Sequence, residues 1–277
     1  MTTDGTTLTG RPAPTSGRVG AVLGLGMLGL GLLALAACAT SSPGDPLAAA
    51  AADSSRPVAL VYRGPGGCPS CSEAAAELVQ GTTWGFEVRF VGPGEDLQLT
   101  STTLRAADLY VQPGGDGSLE EAFAALGPAA ADIREYVDSG GRYLGLCMGG
   151  YLAGSEPGFE LLPGDSNQFI TSEGASVTDV ADTIVEVAWA GEPRFLYFQD
   201  GPLFVLADDG AGGEEVLARY GNGEIAALVA PYGSGAVAVS GPHPEATADW
   251  YRANDVTDPD GEDADLGREL IDALMEE

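Results

Sequence analysis

The chain has 277 residues, with 41 acidic side chains against 12 basic ones, one histidine, four cysteines and a formal net charge of −29. That balance excludes nucleic-acid binding and adsorption to anionic head groups, both of which need a basic face. Every cation is an arginine, so lysine Schiff-base chemistry and P-loop phosphate binding are excluded, and a single histidine with so few cysteines leaves too few ligands for zinc.

At the N-terminus, Arg11 and Arg18 precede a run of apolar residues and glycine over 19–37, the pattern of a secretory h-region. The run ends in Leu35-Ala36-Ala37-Cys38, which resembles a bacterial lipobox. That resemblance implies a lipoprotein signal peptide (1–37), cleavage before Cys38 and a diacylglycerol on the Cys38 sulfur. The alternative is an uncleaved transmembrane anchor, since the run is long enough to span a bilayer. Both place the body outside the cytoplasm, and the first holds it at the cell membrane, lipid-anchored on the extracytoplasmic face. Residues 38–56, rich in Ser, Pro, Gly and Ala, read as a flexible tether.

The body, 57–253, is large enough for one domain with a substantial core. Val58-Ala59-Leu60-Val61-Tyr62 is a buried-strand run. A glycine-rich loop (64–67) follows, then a helix from Glu73 to Val79. Glu87 to Val91 reads as a second strand and Leu109-Tyr110-Val111 as a third, which runs into Gln112-Pro113-Gly114-Gly115. The spacing of Leu119, Phe123, Ile133 and Val137 predicts helices over about 118–126 and 128–139, stopped by Gly140-Gly141. A strand then leads into Cys147. Strands alternating with helices predict an α/β fold with a mostly parallel central sheet.

The second half changes character. Short runs at 175–177, 184–187, 195–198, 203–206, 215–219, 225–229 and 236–240 read as β-hairpins added to that sheet, the last of them delivering His243. Residues 254–277 form an acidic tail ending in a helix, with Leu266, Leu270, Ile271 and Leu274 on one face. The acidic stretch 258–265 has its glycine misplaced for an EF-hand calcium loop and reads as a solvated loop and helix start.

The chemistry concentrates at Gly145-Leu146-Cys147-Met148-Gly149-Gly150. A strand, a sharp turn with cysteine at its tip and a following helix thrust a nucleophile out of the backbone, and small neighbours keep the elbow free of clashes. Helix N-termini favour thiolate. His243 is the one available base, and Glu245 lies two residues on, on the same side of an extended segment, placed to fix the imidazole tautomer. The N–H of Met148, with one from Gly114 or Gly115, supplies an oxyanion hole. Cys68-Pro69-Ser70-Cys71 is compatible with a local disulfide or with a thioredoxin-like redox pair.

Together these segments resemble the biotin-protein ligase N-terminal-like domain of the class I glutamine amidotransferase-like superfamily. The matching stretches are Val61 to Gly66, Val111 to Gly115, Gly140 to Tyr151, Gly201-Pro202-Leu203-Phe204, and Ser240-Gly241-Pro242-His243-Pro244-Glu245. The resemblance implies a flavodoxin-like three-layer sandwich and a triad of Cys147, His243 and Glu245. It does not extend to ligation: the chain has no glycine-arginine-rich biotinyl-adenylate loop and no lysine.

The leading reading is a membrane-anchored cysteine amidohydrolase or acyl-transfer enzyme acting on an unidentified small-molecule or peptide amide or ester, with no cofactor and no metal. The alternatives are a non-catalytic binding module retaining the fold, and a redox protein working through Cys68 and Cys71.

Overall fold

The computed structural model describes residues 56–207 and 212–277. The signal segment, Cys38 and residues 39–55 of the tether lie outside the described residues. Among the described residues no helix is long and apolar enough to cross a membrane.

The first half alternates as its pattern requires. β1 (Val58–Tyr62) is followed by α1 (Pro69–Gln80), β2 (Glu87–Val91), a single turn α2 (Ser101–Leu104) and β3 (Leu109–Gln112). Then come α3 (Leu119–Leu126), α4 (Ala130–Asp138), β4 (Arg142–Leu146) and the short α5 (Met148–Leu152). α1 starts earlier than its apolar spacing indicates, because Cys68 caps it and Pro69 opens it. α3 begins on a capping box, Ser118 with Glu121. α4 ends at Ser139 with Gly140 at φ 111°, a left-handed position that favours glycine.

The second half is antiparallel. It comprises β5 (Gly164–Gln168), β6 (Thr183–Trp189), β7 (Glu192–Phe198), β8 (Pro202–Leu206), β9 (Glu215–Tyr220), β10 (Ile225–Tyr232) and β11 (Gly235–Ser240). Two helices close the chain, α6 (Ala248–Ala253) and α7 (Ala264–Glu276).

All eleven strands join one sheet, in the order β2-β1-β3-β4-β11-β10-β9-β6-β7, with β8 on β10 and β5 on β8. The segment β2-β1-β3-β4-β11 is parallel and the remainder antiparallel. Parallel strands covered on both faces need unbroken apolar runs, as in β1 and β11, both buried throughout. β6 instead alternates buried and exposed residues from Val185 onward, as a strand with one wet face should.

Two apolar clusters flank the sheet. One gathers Ala75 and Val79 of α1 with Leu266, Leu270, Ile271 and Leu274 of α7. The other gathers Ala122 and Leu126 of α3, Ile133 and Val137 of α4 and Leu152 of α5. Residues 254–277, set apart by composition as an acidic tail, therefore contribute α7 to the core that the body builds. Acidic composition marks the solvent side of that helix and says nothing of its buried side.

Two departures have plain causes. Residues 175–177, expected as a strand, lie in a loop: Gly174 turns the chain at φ 74°, and Ala175 and Val177 pack part-buried on the core without joining the sheet. β5, unannounced in sequence, reads Gly-Asp-Ser-Asn-Gln. It is held by antiparallel pairing to β8 rather than by an apolar face.

Candidate active site

The loops after β1, β3, β4 and β11 all leave the same edge of the parallel sheet, because parallel strands end together. That edge collects the residues singled out above. Cys147 follows β4 directly, Gly114 and Gly115 follow β3, His243 and Glu245 follow β11, and Cys68 and Cys71 follow β1.

Cys147 sits at φ 49°, ψ −104°, a conformation that costs an L-residue strain and turns the thiol out of the chain. The glycines of the elbow are there for space. A Cβ on Gly149 would lie 2.0 Å from the Gln112 carbonyl oxygen, and one on Gly145 would lie 2.4 Å from the Gly149 oxygen. The elbow is tied down by Cys147 N–H donating to Ser240 O at 2.8 Å and Tyr151 N–H donating to Cys147 O at 3.0 Å. The thiol is largely buried and lies 3.7 Å from Gln199 O.

His243 Nδ1 lies 2.8 Å from Glu245 Oε1, with the two side chains 5% and 0% exposed. His243 N–H donates to Tyr197 O at 2.9 Å, which pins the segment to β7. The rings of Tyr197 and Trp250 stand edge-on to the imidazole, at 6.1 and 5.3 Å between centroids. They wall it off from solvent. Burial pushes the imidazolium down, but the Cys147 and Glu245 charges, with hydrogen bonds to both, outweigh it and hold His243 well above the ordinary histidine range. The imidazole and the carboxylate thus form one buried pair, with the Cys147 sulfur within electrostatic reach of the imidazole.

The two glycines of the β3 loop take different places. A Cβ on Gly115 would lie 2.3 Å from the Gly66 oxygen, so the loop after β1 buttresses it from behind. Gly115 lines the cavity in front of Cys147 together with Met148. Gly114 packs instead between His243 and Cys71: a Cβ there would lie 3.0 Å from His243 Cε1 and 3.3 Å from Cys71 Sγ. Cys68 and Cys71 are joined in a disulfide at the start of α1.

The cavity holds about 610 Å³ and opens over Cys147. Its far wall carries Tyr151, Gln168, Gln199 and Asp200, none of which sequence patterns single out. Gln168 Nε2 donates to both Asp200 carboxylate oxygens, at 2.8 and 3.0 Å, and Tyr151 Oη donates to Asp200 O at 3.0 Å. Burial pushes the Asp200 carboxyl up and the Gln168 amide pulls it back. Asp200 has φ 48° at the end of β7, and an acidic residue before Gly201-Pro202 was the one available sign of this wall. Among the described residues no group of three or more His, Cys, Asp and Glu side chains is placed to hold a metal ion.

The arrangement is that of an α/β protein with a cysteine elbow at the carboxyl edge of the parallel half of a mixed sheet. Residues 58–173 match the family model of the biotin-protein ligase N-terminal domain. The fold is similar to that of a GMP synthase subunit-like protein from Thermoplasma acidophilum, at 12% identity and TM-score 0.50, covering 80% of this chain and 94% of that one. A cytoplasmic protein from Salmonella typhimurium aligns at 13% identity and TM-score 0.46, over 78% and 98% of the two chains. At such identity the first of these likenesses concerns fold alone. No curated protein sequence matches the chain.

Proposed function

We propose that this protein is a glutamine amidotransferase-like cysteine hydrolase or acyl-transfer enzyme acting on an amide or ester, with Cys147 as nucleophile, His243 as base and Glu245 as the group that orients it. The observation that carries the reading is the pairing of a strained, cavity-facing Cys147 with a buried His243 held 2.8 Å from Glu245.

In the proposed reaction His243 takes the Cys147 thiol proton and the sulfur attacks the carbonyl carbon, forming the C–S bond while the carbonyl π pair moves to oxygen. The Met148 and Gly115 N–H groups face that oxygen. Collapse of the tetrahedral species breaks the bond to the leaving amine or alcohol, which takes its proton from His243. Water, losing a proton to His243, then attacks the thioester and releases the acid and the Cys147 thiolate.

The reading includes a location. The lipobox at Leu35-Ala36-Ala37-Cys38 and a disulfide suited to an oxidising compartment both favour attachment through lipid on Cys38 to the extracytoplasmic face of the cell membrane.

The test is reaction with p-nitrophenyl acetate. A burst of nitrophenol with an acetyl group on the Cys147 peptide, both lost in Cys147→Ala, is the expected result. No acyl group on Cys147 in the folded wild type sinks the hydrolase reading.

A further inference from the structure

The Cys68–Cys71 disulfide spans a sequence separation of only 3. So short a loop restricts the unfolded chain far less than a long-range bridge does. The helix already holds the two residues as well: Cys68 is the N-cap of α1, and its Sγ accepts the Cys71 N–H at 3.0 Å. The bridge is therefore poorly placed to stabilise the whole fold, and its surroundings show a local task.

Cys68 N–H donates to Gly114 O at 3.2 Å. Cys71 Sγ and His243 Cε1 approach Gly114 together, at 3.3 and 3.0 Å from the point a Cβ would occupy. The bridge, the glycine and the catalytic imidazole are stacked in contact. One residue further, Gly115 enters the cavity beside Cys147. We propose that the Cys68–Cys71 disulfide is a positioning pair for the active site: it presses Gly114 against His243 and fixes Gly115 at the oxyanion side of Cys147, so that chemistry at Cys147 requires the bridge to be formed. This rests on the reading of Cys147 and His243 as the reactive pair.

The bridge is opened by a dithiol reductant. The reductant gives two electrons and two protons to the S–S bond and becomes a cyclic disulfide, leaving Cys68 and Cys71 as thiols. The two sulfurs are then no longer bonded and move apart to non-bonded contact. Gly114 lies between the bridge and His243, so that movement is passed toward the imidazole. A misplacement of about 1 Å in a catalytic site costs on the order of a hundredfold in rate.

The experiment compares the full chain oxidised, reduced and desalted under inert gas, and as the Cys68→Ser/Cys71→Ser variant, in which the hydroxyl introduced at position 68 keeps a capping oxygen for α1. Two readouts are taken: Cys147 acylation by p-nitrophenyl acetate, and the pH profile of Cys147 alkylation by iodoacetamide, followed on the Cys147 peptide by mass spectrometry. The expected result is acylation at least about tenfold slower in the reduced chain and in the variant, with KM little changed. The alkylation profile is displaced as well, and reoxidation restores only the wild type. Wild-type acylation rate and alkylation profile in the reduced chain overturn the proposal. If the variant does not fold, the reduced and reoxidised wild type decide the matter alone. If the oxidised wild type does not acylate, the hydrolase reading falls, and the alkylation profile still decides whether the bridge sets the His243–Cys147 geometry.

Discussion

Glu245→Gln tests the triad with the smallest change of shape. The glutamine carbonyl can still accept from His243 Nδ1, so the ring stays in place while the negative charge is lost. The contact is 2.8 Å between side chains that are 5% and 0% exposed, so solvent does little to screen it. A charge-assisted hydrogen bond of this kind is worth about 1.5–3 kcal/mol. At about 1.36 kcal/mol per factor of ten, the population in which imidazolium faces thiolate falls roughly ten- to hundredfold. The pH dependence has a definite sign. His243 is held above its ordinary range, so the stability gained from its protonated form is complete below the ordinary histidine value and is lost as pH rises through the raised one. Removing the carboxylate lowers that upper limit, so the imidazolium that supports the Cys147 thiolate is lost at lower pH. The assay is the iodoacetamide rate at Cys147 across a pH series, with circular dichroism to confirm an unchanged fold. A folded Glu245→Gln protein with the wild-type iodoacetamide rate across the pH series refutes the argument that Glu245 acts on Cys147 through His243.

Two further outcomes follow from the packing. Leu270→Ala removes a fully buried side chain from α7 and should cost about 2–5 kcal/mol in urea unfolding; a loss below about 1 kcal/mol would mean that the C-terminal helix is not part of the core. Asp263 is pushed up to about 7 by burial and the neighbouring Asp258 charge, against the pull of Arg194. Its folded form thus binds a proton that the unfolded form releases, and stability should fall as pH rises from about 4 to about 7. Asp263→Asn, which keeps an acceptor for Arg194, should remove that component, so that the variant gains on the wild type toward pH 8; parallel stability curves for the two would contradict it.

The sites differ in how far they were legible. The nucleophile elbow was visible because its constraint is local: glycines at 145, 149 and 150 around one cysteine are what a tight strand-to-helix turn demands. His243 and Glu245 were visible because the chain offers one histidine and an acid at the right offset. The cavity wall of Tyr151, Gln168, Gln199 and Asp200 was not. Gln168 lies on β5, a strand with no apolar pattern, which exists only because β8 offers it a hydrogen-bonding edge. The division of labour between Gly114 and Gly115 was equally hidden, since the partners that separate them, Cys71 of α1 and Gly66 of the loop before it, come from a distant part of the chain.

The sequence alone determined the parallel half of the sheet, the cysteine elbow, the order of the candidate triad and the acidic, lysine-free surface that excludes whole classes of chemistry. Each of these follows from interactions between near neighbours in the chain or from counting side chains. Only the tertiary structure decided that α7 belongs to the core, that the loop at 175–177 leaves the sheet, that the Cys68–Cys71 bridge stands against Gly114 and His243, and that a polar wall closes the cavity over Cys147. Those depend on which distant segments meet, and periodicity carries no record of that: it reports which face a residue turns inward, and the partner met there is chosen by the fold.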